Sequence, residues 1–137
     1  MTLEYDRSII GTVFDHVTAA PVTAEAILEY IAATGEVQPP ADAADLVAPP
    51  SFVVTVRRRH LLPPLLGKVS FGFDAGKDIH FGVPIRPGDV LTSVTTVHDI
   101  YEKTGRTGIM AFVVVRTVIT NQRDEQVAVV DQQMMCR

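Results

Sequence analysis

The sequence contains no tryptophan and a single cysteine, Cys136. Without indole it lacks the strongest stacking platform for a base or a sugar. One thiol closes no intrachain disulfide, so a reducing compartment is the expectation. No apolar run approaches the roughly 20 residues that cross a bilayer. The first residues also lack the charged-then-apolar pattern of a secretory signal. A cytoplasmic protein with no membrane partner is therefore expected. Basic charge is scarce too. The net charge is −4, so nucleic acid is not an expected partner. No spacing of His, Cys and Asp resembles a metal site, and none is expected.

What is present reads as one α+β domain spanning 1–137. The first half carries helix signals and proline-rich turns. The second half is rich in Val, Ile, Thr and Phe, which suit a pleated surface. Gly11 to Val17 reads as a short strand. Thr23 is a good N-cap, Glu25 sits in the first turn, and Ala24, Ile27, Leu28 and Ile31 recur at helical spacing. Gly35 supplies the left-handed residue that ends helices. The pattern predicts a helix near 23–34. Residues 36–50 hold four prolines and read as an irregular loop, of a length that more often serves function.

Segment 50–62 is ambiguous from pattern alone. Its valines favour a strand, whereas Pro50 in a first turn and the arginines in a last turn favour a helix. Pro63-Pro64 ends either one. Beyond it, Asp78–Ile85, Val90–Glu102, Ile109–Thr120 and Gln126–Met135 read as strands. Turns are expected at Arg86–Asp89, Lys103–Gly108 and Asn121–Glu125, which makes the last three strands an antiparallel meander. Met110, Phe112 and Val114 alternate with Val113 and Val115, leaving both faces fairly apolar. A sheet that covers a helix on one side and meets a partner on the other needs such faces.

Several stretches resemble the MaoC-like enoyl-thioester hydratases and dehydratases, most of all their N-terminal, non-catalytic domain family. They are Thr23–Ile27 with Tyr30 and Gly35-Glu36, then Val47-Ala48-Pro49-Pro50-Ser51-Phe52, then Pro84-Ile85-Arg86-Pro87-Gly88-Asp89-Val90-Leu91. Gly108–Phe112 and Thr120-Asn121-Gln122 follow in the same order. The resemblance implies a hotdog fold: an antiparallel sheet of about five strands wrapped around a central helix. It makes segment 50–62 that central helix. It implies an acyl thioester of coenzyme A or of an acyl carrier protein as substrate carrier, with no other cofactor, and reversible hydration of a 2-enoyl thioester. The acyl group is left open, from a fatty chain to a steroid side chain. The resemblance also implies a homo- or hetero-oligomer with a second MaoC-like hotdog subunit.

Active hydratases of this kind carry Gly-Asp-x-Asn-Pro-x-His after the first helix. A carboxylate and an imidazole there activate water and return a proton to carbon. Backbone N–H groups at the central helix N-terminus stabilise the thioester oxygen. Here the motif falls on Gly35-Glu36-Val37-Gln38-Pro39-Pro40-Ala41. Glu36 takes the Asp position and Ala41 the His position. Alanine has no titratable group, so the implied role is the substrate-binding, catalytically silent half of a heteromeric pair. A self-sufficient homodimeric hydratase or thioesterase, with Glu36 or His80 as base, is one alternative. A non-enzymatic acyl-coenzyme A binding module is another.

Glu36 reads either as an altered acid or as a solvated loop carboxylate. His80, flanked by Ile79 and Phe81, either faces the acyl group or is hydrogen-bonded at the sheet surface. His98 and Asp99 should point to opposite faces, as strand neighbours do. Pro50 and Ser51, at the expected start of the central helix, are substrate-binding candidates. Arg57 and Arg58 are candidates for a coenzyme A phosphate or a partner's carboxylate, or simply complement a helix dipole. Arg86 is a turn residue and a further phosphate candidate. Cys136 reads as structurally incidental.

Overall fold

A computed structural model describes residues 6–37, 45–56 and 72–136. A 3-10 turn, Arg7–Ile9, leads into strand β1 (Val13–Thr18) and helix α1 (Ala24–Thr34). A second 3-10 helix, Pro50–Thr55, precedes β2 (Gly72–Phe81), β3 (Thr92–Gly105), β4 (Gly108–Thr120) and β5 (Gln126–Cys136). The strands form one fully antiparallel sheet in the order β1-β3-β4-β5-β2. This is the hotdog arrangement.

Helix α1 starts and stops where its sequence dictates. The Thr23 Oγ1 accepts from the Ala26 N–H at 3.0 Å, satisfying one of the donors a helix start leaves open. At the other end Gly35 is left-handed, with φ 75°. Its N–H donates to the Ala32 carbonyl, and the Glu36 N–H donates to that of Ile31. That pair of bonds is a complete Schellman closure. Ile27 and Ile31 face the sheet and are buried, each contributing about 1.5–3 kcal/mol of apolar burial.

The meander β3–β4–β5 follows the β-branched residues, with longer strands than their pattern predicts. Gly105 pairs with Gly108, so only Arg106 and Thr107 remain in the turn. Strand β2 differs more. It begins six residues earlier than expected and stops at Phe81. Gly82 and Val83 still donate to the Val127 and Gln126 carbonyls. Pro84 has no N–H to continue the ladder, and the Ile85 carbonyl turns to accept from Ala48.

Two further expectations need correction. The segment expected to be helical over 50–62 is a 3-10 helix over Pro50–Thr55, with Phe52 and Val53 buried; residues 57–62 lie outside the described residues. His98 and Asp99 are not neighbours in a regularly alternating strand. Val97 pairs with Val115 and Asp99 with Val114, so His98 is the extra residue of a bulge. Both are exposed, between fully buried Val97 and Ile100. They still form no dyad in the described contacts: the Asp99 carboxylate accepts from the Ile100 N–H at 2.8 Å.

One sheet face, called inner here, carries α1 and the 3-10 helix. Ile27, Ile31, Phe52 and Val53 pack there with Ile119 and Val127. Further along the same face lies a second cluster of Ile9, Val97, Ile100, Val113, Val115 and Cys136. Cys136 is thus fully buried in a core cluster rather than incidental, and burial pushes its thiol pKa up. Buried polar residues separate the clusters: Asp15 pairs across to Thr95, Thr95 to Thr117, and Gln132 lies one row on.

Candidate active-site scaffold

Three cavities surround the 3-10 helix Pro50–Thr55. The first, about 180 Å³, lies between Ala48, Pro50 and Val53 on one side and Gly82, Ile85 and Val127 on the other. The second, about 90 Å³, lies over the inner face between Val53, Val56, Ile79, Thr117, Val130 and Gln132. The third, about 440 Å³, opens between Pro21, Thr23, Ala26, Phe52 and Leu91. All three are walled mainly by aliphatic side chains, which suits an alkyl chain. Among the described residues their only titratable lining group is Lys77.

Lys77 stands 3.5 Å from the Asp74 carboxylate at the exposed edge of β2. The Gly76 N–H, and to a smaller degree Lys77, hold that carboxyl below its ordinary pKa. Among the described residues no histidine or carboxylate lines the cavities. No described cluster of His, Cys, Asp or Glu could hold a metal. No described helix is long and apolar enough to cross a membrane.

Of the described candidate site residues, one lines a cavity and its neighbour is fixed by α1. Pro50 walls the first cavity. Ser51 is exposed, and its Oγ accepts from the Tyr30 hydroxyl at 2.8 Å. That contact leaves the Ser51 hydroxyl hydrogen available to a ligand. The Tyr30 ring also meets Phe52 edge-on, with centroids 5.4 Å apart, so α1 fixes the start of the 3-10 helix.

The remaining candidates are dispersed. Glu36 is exposed just beyond α1. His80 pairs with Val129, which pairs with Val118, on the outer face. Its neighbour Ile79 is the residue that lines a cavity. Glu36 and His80 therefore lie on opposite sides of the sheet and are not brought together. Arg86 is exposed in its turn, with its backbone N–H donating to Asp89. Arg57, Arg58, Gln38 and Ala41 lie outside the described residues.

The turn Arg86–Asp89 does more than reverse the chain. Gly88 adopts φ 89°, and buried Asp89 accepts from the Arg86 N–H at 2.8 Å and the Gln122 side-chain amide at 3.0 Å. The Asp89 carbonyl accepts from Val22, and Gly88 donates to the Val22 carbonyl. One turn thus ties the β4–β5 hairpin to the approach of α1, fixing two walls of the cavities.

The family model described as FAS1-like, dehydratase domain region, matches residues 8–130. The chain belongs to this family. Its architecture is that of the MaoC-like hotdog dehydratases. The MaoC-like dehydratase from Rhodospirillum rubrum is 25% identical, with a TM-score of 0.65 over 93% of this chain and 91% of that one. The ChsH1–ChsH2 complex from Mycobacterium tuberculosis contains a chain 17% identical, with a TM-score of 0.69 over 90% of this chain and 83% of that one. The HadBC complex, a 3R-hydroxyacyl-ACP dehydratase from the same organism, gives 21% identity and a TM-score of 0.64 over 93% and 96%. No curated protein sequence matches the chain. Within this hotdog fold, sequence reasoning missed Ile79, Thr117, Val130 and Gln132 as cavity walls. Their shared face was legible only once strand register was known, because a one-residue slip exchanges the faces.

Proposed function

We propose that this chain is the substrate-binding, catalytically silent half of an enoyl-thioester hydratase or dehydratase, acting as a single hotdog domain beside a second MaoC-like subunit. The observation that carries the proposal is the lining of the cavities: mainly aliphatic walls, with no histidine or carboxylate among the described lining residues. The motif position that resembles the catalytic histidine holds Ala41, which points the same way. In this reading the cavities bind the acyl chain, while Pro50 and Ser51 approach the thioester. Arg57, Arg58 and Arg86 are offered to the phosphates of coenzyme A or a carrier arm. The partner supplies the carboxylate and imidazole.

The sheet edge supports pairing. Strand β2 has ten residues, exposed along nearly its whole length. Phe73 and Phe81 near its ends are 48% and 54% exposed. Among the described strands β2 is an edge strand without proline, and such an edge is a template for another chain, although Lys77 near its centre faces inward. The ChsH1–ChsH2 and HadBC structures are themselves complexes of two named components. The experiment is reconstitution. The purified chain is assayed for hydration of crotonyl coenzyme A, alone and mixed with a MaoC-like subunit that carries an intact Gly-Asp-x-Asn-Pro-x-His motif. Turnover is expected in the mixture only.

A further inference from the structure

The polar row on the inner face contains more hydroxyl donors than the described residues accept. The Thr95 and Thr117 oxygens are 2.9 Å apart, and both residues are buried. Each hydroxyl carries one hydrogen, and their contact consumes one. The second hydrogen of the pair needs an acceptor elsewhere. Two residues before Thr95 on the same face, Ser93 is fully buried and its Oγ has no hydrogen-bond partner among the described residues. Buried donors without acceptors are rare in folded proteins.

Thr117 is a wall of the cavity of about 90 Å³, and Thr95 is not. Either hydroxyl can be the donor in their contact; when Thr95 donates, the Thr117 hydrogen is the one left for that cavity. The neighbouring Gln132 amide nitrogen already donates to Asp74 Oδ2 at 3.0 Å and to Met134 Sδ at 3.3 Å, so its two hydrogens are engaged. The other walls include Val53, Ile79, Ile119 and Val130, which are aliphatic. Among its described lining residues the cavity therefore offers one hydroxyl donor in a mainly aliphatic surround, with the Lys77 ammonium held beside the Asp74 carboxylate at the exposed edge of β2. Its chemical complement is an alkyl chain interrupted by one acceptor oxygen.

We propose that this cavity selects acyl chains bearing an oxo group, with the Thr117 hydroxyl donating to the oxo oxygen. This rests on the acyl-thioester reading above and adds the substrate class. A plain alkyl chain would cover the same hydroxyl without giving it an acceptor, so discrimination favours the oxygenated chain.

The test is calorimetry on the full chain, together with any subunit that purifies with it. The probes are octanoyl coenzyme A and a panel of mono-oxo-octanoyl coenzyme A isomers. At least one isomer is expected to bind about tenfold more tightly than the plain ester, the effect of one buried hydrogen bond. Thr117→Ser should keep that ratio, and Thr117→Val should bring it near one. Because Thr117→Val strands the Thr95 hydroxyl, Thr95→Val/Thr117→Val is measured beside it; removing both partners leaves neither unsatisfied. Equal binding of all esters, or a preference that survives the double substitution, overturns the proposal. Absence of binding by every ester instead overturns the acyl-thioester reading, and this inference falls with it.

Discussion

The side-chain amide of Gln122 donates to the buried carboxylate of Asp89 at 3.0 Å, joining two turns 33 residues apart in sequence. The same carboxylate accepts from the Arg86 N–H, and Arg123 lies 3.8 Å from it. Gln122 in turn accepts from the Val90 N–H at 2.9 Å. Removing the carboxylate strands several donors at once. Asp89→Ala should cost roughly 2–4 kcal/mol of stability, and Asp89→Asn should cost less because one acceptor oxygen remains. Urea unfolding measures both; an Asp89→Ala midpoint equal to that of the native chain would contradict the assignment.

Gly82 is required by close backbone approach. A Cβ at this position would collide with the Gln126 carbonyl oxygen on β5. The neighbour is backbone in a paired strand and cannot rotate away. Gly82→Ala should therefore destabilise by about 2–4 kcal/mol through backbone displacement. It should also distort the cavity between Pro50 and Val127, weakening thioester binding. A melting temperature within a degree of native would show that β2 can shift at no cost.

On the outer face Arg116 grips Asp131 with two bonds of 2.7 Å. The hydrogen bond from Arg116, more than the charges of Arg116, His98 and His80, holds the Asp131 carboxyl below its ordinary pKa. A lowered carboxyl pKa stabilises the fold fully above the unfolded value of about 3.9, and this is lost as pH falls through the folded value. Asp131→Asn should then reduce stability at neutral pH and flatten the acid limb below about pH 4. Parallel acid-unfolding curves for the two proteins would refute the linkage.

Much of the framework was legible because local and tertiary demands agree there. Thr23 and Gly35 bracket α1 by capping chemistry, and the Val- and Thr-rich runs form the meander. The start of β2 was not legible. Gly72, Asp74, Ala75 and Gly76 are poor strand formers, and pairing with β5 imposes their conformation. Nor was the His98 bulge, since an inserted residue leaves no mark on composition. Of the site the sequence offered Ala41 where the resemblance puts a histidine, a position outside the described residues. The cavity walls were not legible, because Ile79, Thr117 and Val130 look like ordinary strand formers until the register places them on one face.

The same contrast separates the candidates. Pro50 was recognisable from a short motif and walls a cavity; Ser51 beside it is exposed and bonded to Tyr30. His80 was chosen for its apolar neighbours, yet strand alternation turns it to the outer face. Motif order carried positional information that isolated residue chemistry did not.

The most direct test of the silent-half account is the hydration rate of crotonyl coenzyme A by the purified chain, with and without a MaoC-like subunit bearing the intact motif. The account predicts no turnover from the chain alone. In the mixture it predicts turnover that is abolished when the partner's motif histidine is replaced by alanine. Full turnover by the chain alone, unaffected by the partner, would contradict it.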